Sequence, residues 1–494
     1  MPNDSVVIGA GVSGMASALI LARQGHNVVL VERFRAVGPT LRGFARQGVQ
    51  FDTGLHYTGS FAPGEILDIY CRFLGLQGLK REPYASDGFD RLRYTSEATE
   101  FDLPVGYDAL QTYLGDRFPA ERVAICTYFD AVRKEFNSSP FLNLALDSPI
   151  DAFNAFPSSV TLSDFLRGIT DNALLRSVLS VHSLLYGVSP NETPFTNHAK
   201  IVGSYYQSVH GVEGGGLAVV RAFERALHDA GVTVLCSRGA ARIQLRSDGG
   251  VQGVELEDGE RIRADMVVCT THPAVLLDLL PENTLRPVFR QRIRNLVETP
   301  SAYMMFGKAE GPVDSIECRN LFVCPETDVA GFFRPARGPA EGPFYVASSR
   351  CSGGTGARAV VAMAPGSLMD VSSWLHTRPG KRTMEYKEHK ALRLDEMRAT
   401  LLRHAPELAS VQFMDGATPL TLRDYMHTPL GSLYGPRHSV TQFNPMPGTR
   451  VPGLLLAGQA VVAPGLLGAM VSAFLTCGFV VGHDNLRKEL RACA

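Results

Sequence analysis

The chain has 494 residues, 45% hydrophobic and 20% charged, enough for two or three lobes rather than one core. Its 48 lysines and arginines balance 49 acidic residues for a net charge of −1, and the lack of a basic surplus argues against a nucleic-acid partner. Nine cysteines are scattered without a C-x-x-C pair or metal-ligand spacing, so no metal centre is expected and the thiols read as reduced, mostly buried and cytoplasmic.

Ser5 to Ile8 is a short apolar run suited to a buried parallel strand. Gly9, Gly11 and Gly14 follow in G-x-G-x-x-G spacing, Ala16 to Gln24 reads as a helix closed by Gly25, and Val28 to Val31 reads as a second buried strand ending at Glu32. Strand, glycine turn, helix, strand and acid together form the dinucleotide-binding unit. Gly9 allows a tight turn, Gly11 lets backbone approach a pyrophosphate, and Gly14 brings helix and sheet together. The helix N-terminus favours the phosphate charge, and a carboxylate at Glu32 can accept bonds from ribose hydroxyls. The apolar start lacks a basic leader region and is accounted for by this unit rather than by a signal peptide.

An Arg- and Gly-rich loop spans Arg33 to Arg46, and a short strand from Gly48 enters a tight turn around Asp52 and Gly54. Helix is expected from about Pro63 to Gly78 and through most of Tyr107 to Tyr206, as in the apolar stripe of Leu174, Leu175, Val178, Leu179, Val181 and Leu185. The apolar stretch Pro140 to Phe156 reads as packed core, with a lid over a greasy substrate as the alternative. Gly211 to Gly216 leads into a helix over Leu217 to Ala230, and no buried strand is expected directly before it. A strand over Val232 to Cys236 and a meander of Ala241–Arg246, Val251–Leu256 and Arg261–Arg263 follow, with turns at Asp248-Gly249-Gly250 and Asp258-Gly259. Met266 to Thr271 is again a buried strand. Helices over Pro287–Val297 and Thr383–His404, with strands such as Ser301–Gly307 and Arg358–Met363, read as a second lobe. Leu454 to Gly482 carries no charged residue, long enough to span a bilayer. Gly458, Pro464, Gly465 and Gly468 interrupt it, so a buried strand at Leu454–Ala457, a turn and a helix from about Leu467 is the better reading.

The N-terminal unit, FDTGLHYTG (51–59), the glycine–helix–strand–meander block, TPLTLRDYMHTPLGSLYG (418–435) and LAGQAVVAPGLLGAMVSAF (456–474) together resemble the phytoene desaturase, carotenoid isomerase and retinol saturase group of flavoproteins, retinol saturases most of all. The resemblance spans the chain and is dense in these segments. It implies an α/β protein: a discontinuous Rossmann-type FAD-binding domain with a β-meander, plus a second α+β substrate lobe with a helical lid. The domain expectation is 1–70, 207–285 and 430–494 for FAD, and 71–206 (with the lid) and 286–429 for substrate. Carried over position by position, it implies FAD contacts at Gly9, Gly11, Val12, Ser13, Gly14, Glu32, Arg33, Arg42 and Gly54. Ala240 or Ala241 falls near the adenine, and Gly458, Gln459, Gly468, Ala469 and Met470 fall on the flavin side. The chain departs from the group where Gly38 is followed by Pro39, with the arginine later, at Arg42, and where the terminal block lacks the P-G-G-G form of desaturases.

The implied reaction is at a carbon–carbon double bond of a long apolar polyene, carotenoid- or retinoid-like: saturation or cis–trans isomerisation, with desaturation behind. Such a substrate has no acidic proton and no carbonyl, so the cofactor carries the chemistry and the protein positions the bond and excludes water. His56 and Tyr57 are the candidates beside the flavin for supplying or orienting a proton, with Tyr434 behind them. A second dinucleotide unit is absent from the sequence, so electrons are expected to come from, or go to, an external donor or acceptor. Peripheral membrane contact through the helical lobe is expected, because such substrates live in bilayers. An amine- or porphyrinogen-oxidising flavoprotein of similar architecture is the competing enzyme reading, told apart by flavin reduction with an amine. An escort of prenylated proteins that has lost its cofactor is the non-enzyme reading, told apart by colourless protein.

Overall fold

The computed structural model describes residues 4–146, 159–334, 338–350 and 357–494. Its organising layer is a five-stranded parallel sheet assembled from distant parts of the chain. β1 (Asp4–Ile8) leads through α1 (Val12–Arg23) to β2 (Asn27–Val31), and α2 (Gly215–Asp229) leads to β3 (Thr233–Leu235). β4 (Met266–Cys269) and β5 (Leu454–Leu456) complete the order β3-β2-β1-β4-β5, and α3 (Gly465–Val481) follows β5. Val6, Val7, Val267 and Val268 are fully buried, as strands covered on both faces require. α1 and α3 pack side by side on one face, sharing a core of Met15, Leu19, Met470 and Phe474. The meander of Ala240–Leu245, Val251–Leu256 and Arg261–Arg263 is antiparallel and packs on the other face through Ile243, Val254 and Leu256.

α1 starts at Val12, directly on Gly11, rather than at Ala16. Gly14 in its first turn permits the close approach to the end of β1, since a Cβ there would meet the Gly9 carbonyl. α3 likewise starts at Gly465, two residues before the expected Leu467, with Pro464 as its extended N-cap; Gly465 takes the positive φ of 85° at which the chain turns into the helix, which glycine adopts without strain. The chargeless terminal stretch is therefore strand, turn and buried helix, and no described helix is long and apolar enough to cross a membrane.

The second sheet has seven strands, in the order Gln412–Ala417, Ser301–Ala309, Arg358–Gly366, Phe344–Arg350, Asn320–Cys324, Asp90–Tyr94, Thr99–Leu103. All pairs are antiparallel except Asn320–Cys324 with Asp90–Tyr94. Helices from 107 to 207 cover its Asp90–Leu103 end through Phe101, Tyr128, Phe129 and Val202. The Asp171–Tyr186 stripe divides into a helix, Ala173–Ser180, and a 3-10 turn, Val181–Leu185. Phe141 and Leu144 of the apolar 140–156 stretch join the α1–α3 core; its residues 147–156 lie outside the described residues.

One expectation is overturned. A buried strand, Val209–Val212, does lie directly before Gly214. It pairs antiparallel with Thr58–Gly59 and Arg81–Pro83 in a separate small sheet, outside the parallel layer. The thiols also divide evenly: of the eight described cysteines, Cys71, Cys269, Cys324 and Cys477 are buried and the other four are partly exposed.

Candidate active site

The β1–α1 turn has the form of an anion cradle. Gly9 sits at φ +97°, and a Cβ at Gly14 would lie 1.8 Å from the Gly9 carbonyl, so both must be glycine for the turn to close. A Cβ at Gly11 meets nothing within 4 Å: the space in front of it is open. No side chain caps α1, and its first turn carries no acid, leaving backbone donors and the positive end of the helix dipole facing that space. Glu32, buried at the end of β2, accepts from Ala10 N at 2.8 Å and Phe34 N at 2.9 Å. Each oxygen keeps a lone pair for a further donor. The Arg238 amide donates to the Glu32 carbonyl at 3.0 Å, which brings the start of the meander, two residues before Ala240, to the same place.

The terminal block closes on this turn. Ser13 Oγ donates to the Ala469 carbonyl at 2.5 Å. Gly458 N donates to Ser472 Oγ at 2.8 Å, and Thr476 Oγ1 to the Leu456 carbonyl at 2.8 Å. The Gln459 carbonyl is 2.8 Å from His438 Nε2. α3 also lacks a side-chain cap and an acid in its first turn. Its free amides are those of Gly465 to Gly468, while Ala469 and Met470 lie inside the helix and Met470 is fully buried in the core.

Beyond α3 opens a cavity of about 780 Å3. Its walls are largely apolar, with Leu185, Phe322, Phe344, Met363, Leu433 and Leu467 among them. Gly54, His56, Tyr57, Tyr434 and Gly468 also line it, so both catalytic candidates and one end of α3 face one space. Phe443 and Met446 line it as well and are exposed, marking where it reaches solvent.

Burial lowers the His56 imidazole to about 4, so it is neutral at physiological pH. Its ring lies 5.7 Å from that of Tyr345. Burial and the neighbouring Asp90 hold the Tyr57 phenol well above its ordinary range, and its hydroxyl donates to Asp90 Oδ2 at 3.0 Å. Asp90 is fully buried. It also accepts from Asn320 Nδ2 at 2.7 Å and lies 2.9 Å from His182 Nε2. Tyr345 donates to Asn320 Oδ1 at 3.0 Å, and the Tyr57 ring is set between Tyr84, at 5.6 Å, and Tyr205, at 4.9 Å. His182 Nδ1 is left without a partner among the described residues, but the bonds that converge on Asp90 hold the other members in one geometry. Tyr57 is thus locked, whereas the His56 ring makes no hydrogen bond to a described residue.

From residue 12 to 356 the chain matches the family described as flavin containing amine oxidoreductase. The chain belongs to the flavin containing amine oxidoreductase family. Among curated proteins it is similar to the all-trans-retinol 13,14-reductase of Danio rerio, 24% identical over 98% of this chain and 87% of that protein. It is also similar to the hydroxyneurosporene desaturase of Cereibacter sphaeroides, 26% identical over 92% of each. Among solved structures it shares its fold with an oxidoreductase from Methanosarcina mazei, at a TM-score of 0.68, 14% identity, and coverage of 95% of this chain and 98% of that one. The resemblance to retinol saturases and carotenoid desaturases and isomerases is borne out.

Members of this flavin-containing family need a site for the cofactor, and the residues present fit FAD: an open space at Gly11, uncapped amides at two helix starts, and a buried carboxyl at Glu32 with lone pairs to spare. Of the other expected contacts, Gly54 borders the cavity. Arg33 is exposed. Arg42 turns its guanidinium to Glu224 and to the Val37 carbonyl. Gly54 is needed for packing, since a Cβ there would lie 2.5 Å from the Thr40 carbonyl. Asp90, His182 and Asn320 went unread in the sequence: they are 33, 125 and 263 residues from Tyr57 and carry no local motif.

Proposed function

We propose that this protein is an FAD-dependent enzyme that saturates or isomerises a carbon–carbon double bond of a long apolar polyene, carotenoid- or retinoid-like. The observation that carries the reading is the large, mostly apolar cavity reaching from exposed Phe443 and Met446 to α3, His56 and Tyr57. Among the described residues its charged lining is limited to Glu135, Lys200 and Arg292, a poor match for an ammonium substrate and a good one for a hydrocarbon chain. The retinol reductase and carotenoid desaturase among its relatives support the same substrate class.

When bound, FAD supplies or accepts the hydride. The Gly9–Gly14 turn and the α1 N-terminus hold the pyrophosphate, Glu32 the adenosine ribose, and the Ala240–Ala241 backbone the adenine. Gly458, Gln459 and the uncapped start of α3 face the flavin side, where positive dipole ends favour added negative charge. Apolar walls exclude water and fix the double bond. Tyr57, pinned by Asp90, is a rigid wall that orients the chain. Electrons would come from an external donor, and the substrate enters at Phe443 and Met446 from a bilayer surface.

The test is to reduce the purified yellow protein anaerobically with dithionite, offer all-trans-retinol and prolycopene, and read products by chromatography and mass spectrometry. Saturated or isomerised polyene supports the reading. Flavin bleached by putrescine, with both polyenes returned unchanged, overturns it in favour of amine oxidation.

A further inference from the structure

Behind the wall that carries Leu55 and His56 lies a second cavity of about 420 Å3. Leu55 and His56 belong to both linings, and His56 is the one polar residue the two share. The cavities differ in chemistry. The large one is walled mostly by aliphatic and aromatic side chains, whereas the small one holds Asp52, Arg81, Glu82, Glu213, Glu317 and Arg358. The Glu213 side chain is 58% exposed, so this polar space is in contact with bulk water. His56 therefore stands between a polar compartment open to water and a mostly apolar one.

Saturation, the reading on which this inference rests, sets a requirement. Adding hydrogen across a double bond takes one hydride and one proton. The hydride comes from the flavin after reduction by an external two-electron donor. The proton comes from solvent, yet a long apolar ligand filling the large cavity excludes water from it. The proton must then cross a wall.

We propose that His56 is the crossing point, relaying a solvent proton from the polar cavity to the substrate carbon. The π bond breaks as hydride adds to one carbon. The electron pair left on the other carbon takes the proton from one imidazole nitrogen, and the second ring nitrogen takes a proton from water in the polar cavity. The hydroxide so formed is neutralised in bulk solvent, and the ring returns to its first tautomer by proton exchange. A neutral imidazole, with one N–H and one free lone pair, is the form such a relay needs, and burial keeps His56 in that form. Its freedom from hydrogen bonds to described residues leaves both nitrogens available. Tyr57 cannot take this role while its proton is committed to Asp90.

The experiment uses the dithionite-reduced holoenzyme in D2O with all-trans-retinol and prolycopene as the probe polyenes. Wild type is expected to place two solvent deuterium atoms in each saturated product, one as hydride, because dithionite supplies only electrons and the reduced flavin takes its hydrogen from D2O, and one as proton, with a solvent isotope effect on turnover. His56→Ala and the space-filling His56→Gln should keep their flavin and slow about 100-fold or more, and imidazole in the buffer should restore part of the His56→Ala rate. Ser349→Leu is the variant on the far side: Ser349 lines the polar cavity only, and filling that space should slow turnover about 10-fold with no rescue by imidazole. Wild-type rates in both His56 variants overturn the relay while saturation stands. Wild-type product without solvent deuterium, or no product from either probe, overturns the saturation reading and the relay with it.

Discussion

Gly11 and Gly14 lie three residues apart in one turn, yet a methyl group meets different surroundings at each. At Gly14 it would lie 1.8 Å from the Gly9 carbonyl oxygen, far inside contact distance, and neither the turn nor the packed helix can give way. Gly14→Ala is therefore expected to destabilise the fold by about 3 kcal/mol or more, seen as a lowered denaturation midpoint in the flavin-free protein. At Gly11 the added group meets no protein atom within 4 Å, and the residue has an extended backbone at φ −72° that valine adopts. Gly11→Val should cost the apoprotein only about 1 kcal/mol while abolishing the flavin absorption bands. Yellow protein from Gly11→Val, or an unshifted midpoint in Gly14→Ala, would remove the cradle from the account. Both glycines were legible in the sequence because the motif is local and its physical demands are local. Asp90 was not: what matters there is three side chains arriving from three other segments, and no spacing rule encodes that.

Among the elements, the parallel strands could be read from short Val- and Leu-rich runs, since a strand buried on both faces is continuously apolar. The hairpin of Asp90–Tyr94 and Thr99–Leu103 was not read. Its sequences, DRLRY and TEFDL, alternate apolar with charged residues, and the charges outweigh the alternation that marks a strand with one buried face. Arg91 pairs with Asp102 and Arg93 with Glu100 across the two strands, so those charges are part of the hairpin's own cross-strand pairing. The join between the first and last elements of the FAD-binding layer is open to test. Ser472 is fully buried and accepts from the Gly458 amide, so Ser472→Ala leaves a backbone donor without a partner and should cost about 1–3 kcal/mol. Ser13→Ala removes a donor from a helical carbonyl at Ala469 that retains its place in the α3 ladder, and should cost about 0.5–1.5 kcal/mol. Urea midpoints of the two variants in the apoprotein check the order. Equal losses would mean that β5 is held by α3 packing alone.

At the scale of the whole molecule, burying so many histidines makes stability depend on pH in one direction. Nine of them, His26, His56, His198, His210, His389, His404, His427, His438 and His483, are held below their ordinary range with burial as the leading cause. His198 is the most deeply committed. It is fully buried, with Tyr128 Oη 2.8 Å from Nε2 and Tyr186 Oη 2.9 Å from Nδ1, and is lowered from 6.5 to about 3. A histidine with a depressed folded pKa binds protons only in the unfolded chain between those two values. Its contribution is therefore complete above pH 6.5 and declines as pH falls towards 3, by about 1.4 kcal/mol per pH unit. Asp52 works the other way: burial raises it from 3.8 to about 6, so its contribution is present at low pH and lost as pH rises through 6. One carboxyl cannot offset nine imidazoles, and the protein should lose stability in acid below pH 6.5. His198→Gln isolates the largest share. At pH 7.5 it should lower stability by about 1 kcal/mol for each tyrosine hydrogen bond it fails to replace. On acidification it escapes the protonation penalty, so the gap to wild type should narrow by about 1.4 kcal/mol per pH unit and then reverse. Urea midpoints at pH 7.5, 6.0 and 5.0 decide the matter, and a gap that stays constant would show that His198 is not neutral in the folded core.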